Sequence, residues 1–241
     1  MSRILVTGST DGLGRLAAES LSAGGHDVVV HARNEQRAAA LDALVSRGAD
    51  LVIGDFTRRE DVRRIAADLA DAEPLDAIIH NAGVWRGQAV MPVNIIAPYL
   101  LTVLLPAPRR VVYLSSGSHY GGSPSTAGVD WRGQRAGSYE DSKLFVTVLM
   151  AAVARLRPQV VSNAVDPGWV PTKMGGQGAP DDLDLGHQTQ EWLASSDDPQ
   201  ALTTGGYWYH RQRRQPHQAV HDQVFQNRLL QALAEETGVA M

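Results

Sequence analysis

The chain has 241 residues, of which 44% are hydrophobic and 20% are charged, a composition typical of a folded globular protein rather than a disordered one. Its formal net charge of -4 lacks the basic excess that binding to a nucleic-acid backbone requires, so we predict no nucleic-acid partner. The absence of cysteine excludes disulfides, thiolate nucleophiles and cysteine-ligated metal centres, and we predict no metal site.

The first half of the chain alternates short apolar runs with segments of helical pattern. Strands are predicted at residues 4–6, 28–31, 51–53 and 75–80. Helices are predicted at 12–23, from an Asn34 cap to about residue 47, and from a capping box at 57–60 to about residue 70. The apolar runs are continuous rather than alternating, which is typical of strands covered on both faces.

The second half continues this alternation. Helices are predicted at 93–105, 139–156, 187–194 and 219–236, and strands at 111–115, 160–165 and 206–209, with a solvated tail after the last strand. Repeated β-α units joined by right-handed crossovers predict one α/β domain over residues 1–241, with a doubly wound, mostly parallel sheet and helices on both faces.

Residues 88–108 carry no charge and are long enough to span a bilayer. Four prolines and Asn94 interrupt this stretch, so it is better explained as a helix buried between the sheet and its neighbours. The first residues lack the apolar run of a secretion signal. We therefore expect no membrane span and a cytoplasmic location.

A glycine-rich motif follows the first predicted strand directly. It consists of Thr7, Gly8, Ser9, Thr10, Asp11, Gly12, Leu13 and Gly14. Glycines at this spacing let the backbone turn tightly and approach a pyrophosphate, and the next helix points its N-terminus at that anion. The spacing differs from the G-x-G-x-x-G of other dinucleotide folds, and turn chemistry alone is the alternative. The position after the first strand favours a dinucleotide site.

Three further segments lie where predicted strands end. Arg33 follows the small Ala32, which leaves room for a 2′-phosphate and favours NADP over NAD, although an exposed loop arginine is the alternative. Asp55, followed by Phe56, could accept a hydrogen bond from adenine or could simply cap its loop. The small residues of Asn81-Ala82-Gly83 would let a cofactor lie close to the backbone.

Tyr139 and Lys143 are spaced i and i+4, so they share one face of the predicted 139–156 helix. A tyrosine with its usual pKa near 10 is a poor acid or base at neutral pH, and a nearby ammonium group favours the phenolate. Lys143 is one of only two lysines in the chain, which makes a chance pairing uncommon. A surface pair is the alternative interpretation.

Taken in order, these motifs resemble the short-chain dehydrogenase/reductase family, in particular its retinol-dehydrogenase-like and WW-domain-oxidoreductase-like branch. The matching positions are 7–14, Asp55, 81–83, Asn94, Ser115-Ser116, Tyr139-x-x-x-Lys143 and Pro167-Gly168. The resemblance implies a Rossmann fold and a hydride transfer between NADP(H) and a small carbonyl or alcohol substrate. The alternative is an NADP-binding sensor or scaffold that kept the fold without turnover.

The resemblance also implies a role for each matching residue. Tyr139 would exchange a proton with the substrate oxygen, Ser116 would hydrogen-bond that oxygen, and Lys143 would lower the tyrosine pKa and bind the nicotinamide ribose. Asn94, in a locally bent helix, would hold a water of a proton relay. The expected nicotinamide contacts are Pro167, Gly168, Val170 and Thr172, with Thr172 on the carboxamide.

The chain departs from the family pattern between Gly83 and Asn94, where only ten residues intervene. The helix that begins here in related proteins contributes to their association, so we expect any homodimer to be weakened or altered at this surface. Several side chains in loops near the predicted site could form an aromatic pocket wall for a hydrophobic substrate, and the alternative is that about half of them only pack their loops. They are Trp85, His119, Tyr120, Trp131, Trp169 and Met174.

Overall fold

The computed structural model describes residues 1–241 and centres on one eight-stranded sheet. The strands are β1 (Arg3–Val6), β2 (Asp27–Ala32), β3 (Asp50–Ile53), β4 (Ala77–His80), β5 (Arg110–Leu114), β6 (Val161–Asp166), β7 (Gly206–Tyr209) and β8 (Gln212–Arg214). Their order is β3-β2-β1-β4-β5-β6-β7-β8, and every neighbouring pair is parallel except β7 and β8. Strand order reverses between β1 and β4, the position at which such sheets bind ligands.

Helices cover both faces of this sheet and complete two buried clusters. They are α1 (Gly12–Ala23), α2 (Glu35–Ala38), α3 (Asp42–Val45), α4 (Arg59–Ala70), α5 (Ala97–Leu104), α6 (Tyr139–Leu156), α7 (Leu183–Ser195) and α8 (Gln223–Thr237). Side chains alternate along β1, so Leu5 joins the cluster with α4, α5, α6 and α8, while Ile4 and Val6 join the cluster with α1 and α7. The predicted doubly wound α/β fold is confirmed.

The predicted helix from Asn34 to residue 47 is divided. Asn34 does cap it, because its side chain accepts a hydrogen bond from the Arg37 amide. A 3₁₀ turn over Ala39–Leu41 then separates α2 from α3. The buried residues Ala38, Leu41 and Leu44 are spaced by three, which is the period of a 3₁₀ turn, so this winding aims all three at the core.

The predicted capping box at residues 57–60 is wrong. Helix α4 has Arg58 at its N-cap position and no side-chain cap there. Thr57 instead donates both its amide and its hydroxyl to Asp55, at 2.9 and 2.8 Å. The Asp55 carboxylate accepts both donors of Thr57 in a local turn, and this turn replaces the capping geometry.

The residues after β7 are exposed, as predicted, but they form a strand rather than a tail. His210 and Arg211 both adopt positive φ angles, 47° and 59°, and turn the chain back into the antiparallel strand β8. Two consecutive residues of this kind define a tight hairpin turn that usually contains asparagine and glycine. The His-Arg sequence carries no such pattern, so the sequence does not predict the hairpin.

The uncharged stretch at 88–108 is buried against the sheet, as predicted. It contains a π-helical turn over Pro92–Ile96 that leads directly into α5. None of the helices in the structure has the length and apolar character needed to cross a bilayer.

Candidate active site

A cleft of about 440 Å³ opens where strand order reverses, beyond the carboxyl ends of the central strands. Most of the predicted cofactor and catalytic residues line it. These are Gly8, Thr10, Asp11, Gly12, Leu13, Gly14, Arg33, Asp55, Phe56, Asn81, Ala82, Gly83, Tyr139, Lys143, Pro167 and Thr172. Residues that are far apart in sequence therefore converge on one site, because parallel strands end on the same edge of the sheet.

The glycine-rich turn packs against the end of β4 without room for side chains. A Cβ added to Gly8 would lie 2.9 Å from the Ala82 Cα, and one added to Gly14 would lie 2.2 Å from the Asn81 side-chain nitrogen. Gly8 also has a φ of +69°, a conformation that favours glycine. The turn leaves backbone amides and the α1 N-terminus facing the cleft, an arrangement that fits a dinucleotide pyrophosphate.

Two predicted cofactor residues of this turn, Thr7 and Ser9, lie behind the cleft wall rather than on it. The buried Thr7 hydroxyl accepts the amides of Asn81 and Ala82, each at 3.0 Å. The Ser9 hydroxyl accepts the His31 amide at 3.1 Å and donates to the Val6 carbonyl. Both residues therefore brace the turn.

His31 lines the cleft and was not predicted as a site residue. Its ring accepts the Gly8 amide at 3.0 Å, lies 2.9 Å from the Gly54 carbonyl and stacks on Phe56 with centroids 4.0 Å apart. These contacts require a neutral ring that carries its proton on Nε2. Burial lowers the pKa of His31 to about 4, although the Gly54 carbonyl and Asp55 oppose the shift.

A second arginine joins Arg33 in the cleft wall. Arg33 is exposed at the end of β2, and Arg37, from α2, also lines the cleft. Arg37 donates to the Thr10 hydroxyl at 2.9 Å and lies 3.4 Å from the Asp11 carboxylate. The Asn34 cap places Arg37 in the first turn of α2, but no sequence pattern directs its side chain to the cleft.

Tyr139 and Lys143 line the cleft, whereas the predicted Ser116 lies outside its lining, where its hydroxyl accepts the Ser118 amide at 3.2 Å. Its neighbour Ser115 lines the cleft and bonds inward to the Thr147 hydroxyl at 2.6 Å. The buried Lys143 ammonium donates to the Leu114 carbonyl at 2.7 Å. It lies 5.5 Å from the centre of the Tyr139 ring. The i,i+4 pair therefore lies within the site, with Lys143 buried and Tyr139 partly exposed to the cleft.

Burial controls the titration of this pair. It raises the pKa of Tyr139, and the Ser116 hydroxyl opposes that rise. It also lowers the pKa of Lys143 to about 8, although the nearby Asp166 carboxylate opposes the change. We expected Lys143 to lower the tyrosine pKa, but in this structure desolvation of the phenol dominates and the pKa of Tyr139 lies above its ordinary value.

Asn94 lies in the π-helical turn, where a local bend of its helix was predicted. Its side chain accepts the Val84 amide at 2.9 Å and donates to the Val84 carbonyl and the Ser142 hydroxyl, at 2.8 and 2.9 Å. In an α-helix its main-chain carbonyl would bond to the amide of residue 98, but Pro98 has no N–H. The side chain thus fixes the segment after β4, and the backbone carbonyl has no such α-helical partner.

A loop at residues 169–181 borders the cleft on its remaining side. Pairing between Trp169 and Asp181 closes its base, with amide hydrogen bonds of 2.6 and 3.1 Å. Thr172 lines the cleft, as do Lys173 and Met174, which were not predicted as cofactor contacts. Val170 instead is buried beneath this loop and packs towards α7.

Gly168, also a predicted nicotinamide contact, lies outside the cleft lining. Its amide donates to the Asp166 carboxylate at 3.0 Å, and its φ of +84° requires glycine. A Cβ at this position would lie 2.6 Å from an Asp181 carboxylate oxygen. Gly168 therefore sets the path of the chain from β6 into the 169–181 loop.

Lysine 173 reaches from this loop to the glycine-rich turn, where its ammonium lies 2.6 Å from the Asp11 carboxylate. Partial burial raises the pKa of Asp11, but hydrogen bonds from Lys173, Arg37 and the next backbone amide outweigh it and lower the pKa below its ordinary value. Asp11 is therefore ionised at neutral pH and paired with two cations.

The predicted aromatic pocket wall is only partly assembled. Trp131 is buried against Phe145 in the core, and His119 is fully buried between Tyr120 and Tyr207. The exposed members are Trp85, Tyr120, Trp169 and Met174. Met174 alone of the six lines the cleft, so several of them pack loops instead.

Comparisons with known proteins identify the family of the chain. The family model for short chain dehydrogenase matches residues 2–104. An uncharacterized oxidoreductase of Emericella nidulans is 36% identical over 258 residues, which cover 100% of this chain and 99% of that protein. A short-chain dehydrogenase of Gibberella zeae is 34% identical over 256 residues, with coverage of 100% and 99%.

A solved structure shares the fold. The crystal structure of an uncharacterized protein from Mycobacterium paratuberculosis superimposes with a TM-score of 0.79 at 22% identity, and the alignment covers 100% of this chain and 94% of that one. The full-length sequence similarity and the site geometry lead to one assignment. The chain belongs to the short-chain dehydrogenase/reductase family and is an oxidoreductase that acts on CH–OH or C=O groups with a nicotinamide dinucleotide.

Proposed function

We propose that the protein is an NADPH-dependent reductase of ketones or aldehydes that also works in reverse as an alcohol dehydrogenase. The observation that carries this proposal is the pair of Tyr139 and Lys143, which both line the cleft, with the buried ammonium of Lys143 5.5 Å from the centre of the Tyr139 ring. When bound, the dinucleotide supplies or accepts the hydride. The protein supplies positioning and the proton.

Ser116 and Tyr139 act on the substrate oxygen. As a carbonyl is reduced, its oxygen gains negative charge, which a hydrogen bond from the Ser116 hydroxyl stabilises. The Tyr139 hydroxyl then donates its proton to that oxygen. Burial raises the pKa of Tyr139, so its phenol is protonated at neutral pH, which supports the reductive direction.

Lys143 and Asn94 complete the proposed proton path. The ammonium of Lys143, held by the Leu114 carbonyl, favours the phenolate that Tyr139 becomes and lies where it can bind the nicotinamide ribose. Because Pro98 cannot donate to the Asn94 carbonyl, that carbonyl is the group we assign to holding a relay water. The Asn94 side chain keeps the segment after β4 in place.

The remaining predicted residues would hold the dinucleotide. We assign the pyrophosphate to the 8–14 turn and the adenine to Asp55 and Phe56. Residues 81–83 are small, and we propose that the cofactor lies close to their backbone. We assign the nicotinamide to the chain at 167–172, with Thr172 as its cleft-lining member. The two guanidinium groups of Arg33 and Arg37 support a preference for the extra phosphate of NADPH.

We further propose that association of this protein is altered at the surface after Gly83. Helical structure there begins only at Val90, and the preceding residues form turns. A short helix offers less area for contact with a partner than the longer helix that the family resemblance implies at this position.

Steady-state kinetics with NADPH, NADH and a panel of ketones and aldehydes tests the activity. We expect a higher kcat/KM with NADPH, and a loss of about 10²- to 10⁴-fold in kcat for Tyr139→Phe with cofactor binding retained. Tyr120→Phe, which changes an exposed tyrosine outside the cleft lining, serves as the matched control with unchanged rates. Undiminished activity of Tyr139→Phe would contradict the mechanism, and tight NADPH binding without turnover of any substrate would favour the sensor or scaffold.

A further inference from the structure

The 169–181 loop contacts the glycine-rich turn at two neighbouring points. The Thr172 side chain lies close to Gly12, since a Cβ added there would be 3.2 Å from the Thr172 methyl group. The next residue, Lys173, pairs with Asp11 at 2.6 Å. The loop therefore lies across the turn that we assign to the cofactor pyrophosphate.

Asp11 divides its carboxylate between two tasks. One oxygen accepts the backbone amide of Gly12 at 2.8 Å and caps α1. The other oxygen is shared by Lys173 at 2.6 Å and Arg37 at 3.4 Å. Two cations from separate segments are thus collected on one anionic oxygen at the cleft wall.

The ion pairs of Asp11 with Lys173 and Arg37 can easily be replaced by contacts with a ligand. The side chain of Lys173 is 77% exposed, and those of Arg37 and Asp11 are 37% and 38% exposed. Ion pairs at such exposure contribute little to stability. A phosphate group carries more charge and more acceptor oxygens than a single carboxylate oxygen, so it competes well for both cations.

We propose that Lys173 and Arg37 form a phosphate-binding pair for the dinucleotide, and that Asp11 holds the pair in position until a cofactor phosphate replaces it. This inference rests on the proposed function. It assigns a cofactor contact to the 169–181 loop through a side chain rather than through the backbone. Asp11 should therefore weaken cofactor binding, whereas Lys173 and Arg37 strengthen it, because Asp11 competes with the phosphate for both cations.

Dissociation constants for NADPH and NADH, measured by isothermal titration calorimetry without substrate, test this proposal. We expect Lys173→Gln and Arg37→Gln each to raise Kd about tenfold, as for the loss of one charge-assisted contact. Asp11→Asn retains the helix cap and removes the competing charge, so it should lower Kd several-fold. In the Asp11→Asn background, Lys173→Gln should raise Kd by a larger factor than in the wild-type protein. The reason is that Lys173 then has no carboxylate to leave when it binds the phosphate.

The two dinucleotides identify which phosphate is bound. An equal effect of Lys173→Gln on NADPH and NADH assigns the pair to the diphosphate, and a larger effect on NADPH assigns it to the 2′-phosphate. Either result supports the proposal. Arg228→Gln, which removes an exposed cation from α8, is the control and should leave both constants unchanged.

Two results would overturn the inference while leaving the proposed function intact. The first is a Lys173→Gln variant whose Kd for the dinucleotides equals that of the wild type. The second is an Asp11→Asn variant that binds less tightly, which would show that the ion pair holds the loop over the cofactor and is not exchanged for it. A wild-type protein that binds neither dinucleotide would overturn both the inference and the proposed function. Unchanged midpoints of urea unfolding in all variants would show that the substitutions affect binding and not the stability of the fold.

Discussion

At the scale of single residues, burial determines which groups of the site carry charge. Desolvation raises the pKa of Tyr139 and lowers that of Lys143 to about 8. The same effect keeps His31 neutral between the Gly8 amide and the Gly54 carbonyl, so its ring can accept one hydrogen bond and donate the other. A neutral histidine thus connects the glycine-rich turn to the end of β3.

His31 should make the fold sensitive to acid. Its pKa is about 4 in the folded protein and near 6.5 in an unfolded chain, so between these values the unfolded state binds more protons. The free energy of unfolding therefore falls as the pH drops through this range, and we expect His31 to account for about 2 kcal/mol between pH 7 and pH 5. The free energy of urea unfolding of His31→Asn should therefore fall less between pH 7 and pH 5 than that of the wild type, and the difference should be about 2 kcal/mol.

The exposed His221 provides the control for this measurement. His221→Asn should retain the full pH dependence of the wild type. A wild-type pH dependence in His31→Asn as well would show that His31 is not held neutral in the fold.

At the scale of elements, close backbone approach joins the first β-α unit to β4. The Thr7 hydroxyl receives two amides from the residues after β4, and the Asn81 side chain donates back to the Thr7 carbonyl at 2.9 Å. This network leaves no volume for a side chain at Gly14, in the first turn of α1. The position of α1, and with it the cofactor turn, depends on that missing side chain.

Gly14→Ala should therefore destabilise the protein. The added methyl group would lie 2.2 Å from the Asn81 side chain and 2.4 Å from the Gly8 carbonyl, and the backbone must shift to relieve this contact. We expect a loss of about 3 kcal/mol in the free energy of urea unfolding, together with weaker NADPH binding. Gly178→Ala, where no atom lies within 4 Å of an added Cβ, should change neither quantity. Equal stability of both variants would contradict this account of the turn.

At the scale of the whole molecule, the C-terminal residues hold the outer helices together on one side of the sheet. Arg59 and Arg132 both pair with Glu236 at the end of α8, and the Tyr99 hydroxyl donates to the Val239 carbonyl at 2.6 Å. These contacts hold α4, α5 and α8 together.

We expect light scattering after size-exclusion chromatography to show no assembly that depends on the segment after Gly83. Trp85 is exposed in this segment, and Trp85→Glu would disrupt an interface there by adding a charge. The variant should have the same mass as the wild type. A wild-type tetramer or dimer that Trp85→Glu dissociates would show that association through this surface is retained.

Much of the site could be predicted because its residues occur in short, ordered motifs. The turn at 7–14, the 81–83 segment and the Tyr139–Lys143 pair each depend on spacing within a few residues. Their convergence follows from parallel strands ending on one edge. Thr7, Ser9 and Val170 were assigned to the cofactor by motif membership, yet motif membership does not distinguish a lining residue from one that braces the lining from behind.

The sequence by itself determined the alternation of strands and helices, the place of the glycine-rich turn and the pairing of Tyr139 with Lys143, because local periodicity and spacing encode these features. Only the tertiary structure decided that Arg37 and Lys173 reach the cleft, that His31 joins two loops, and that β8 folds back on β7. These features depend on contacts between segments far apart in sequence. Their energies come from burial and charge pairing that exist only once the sheet has brought those segments together.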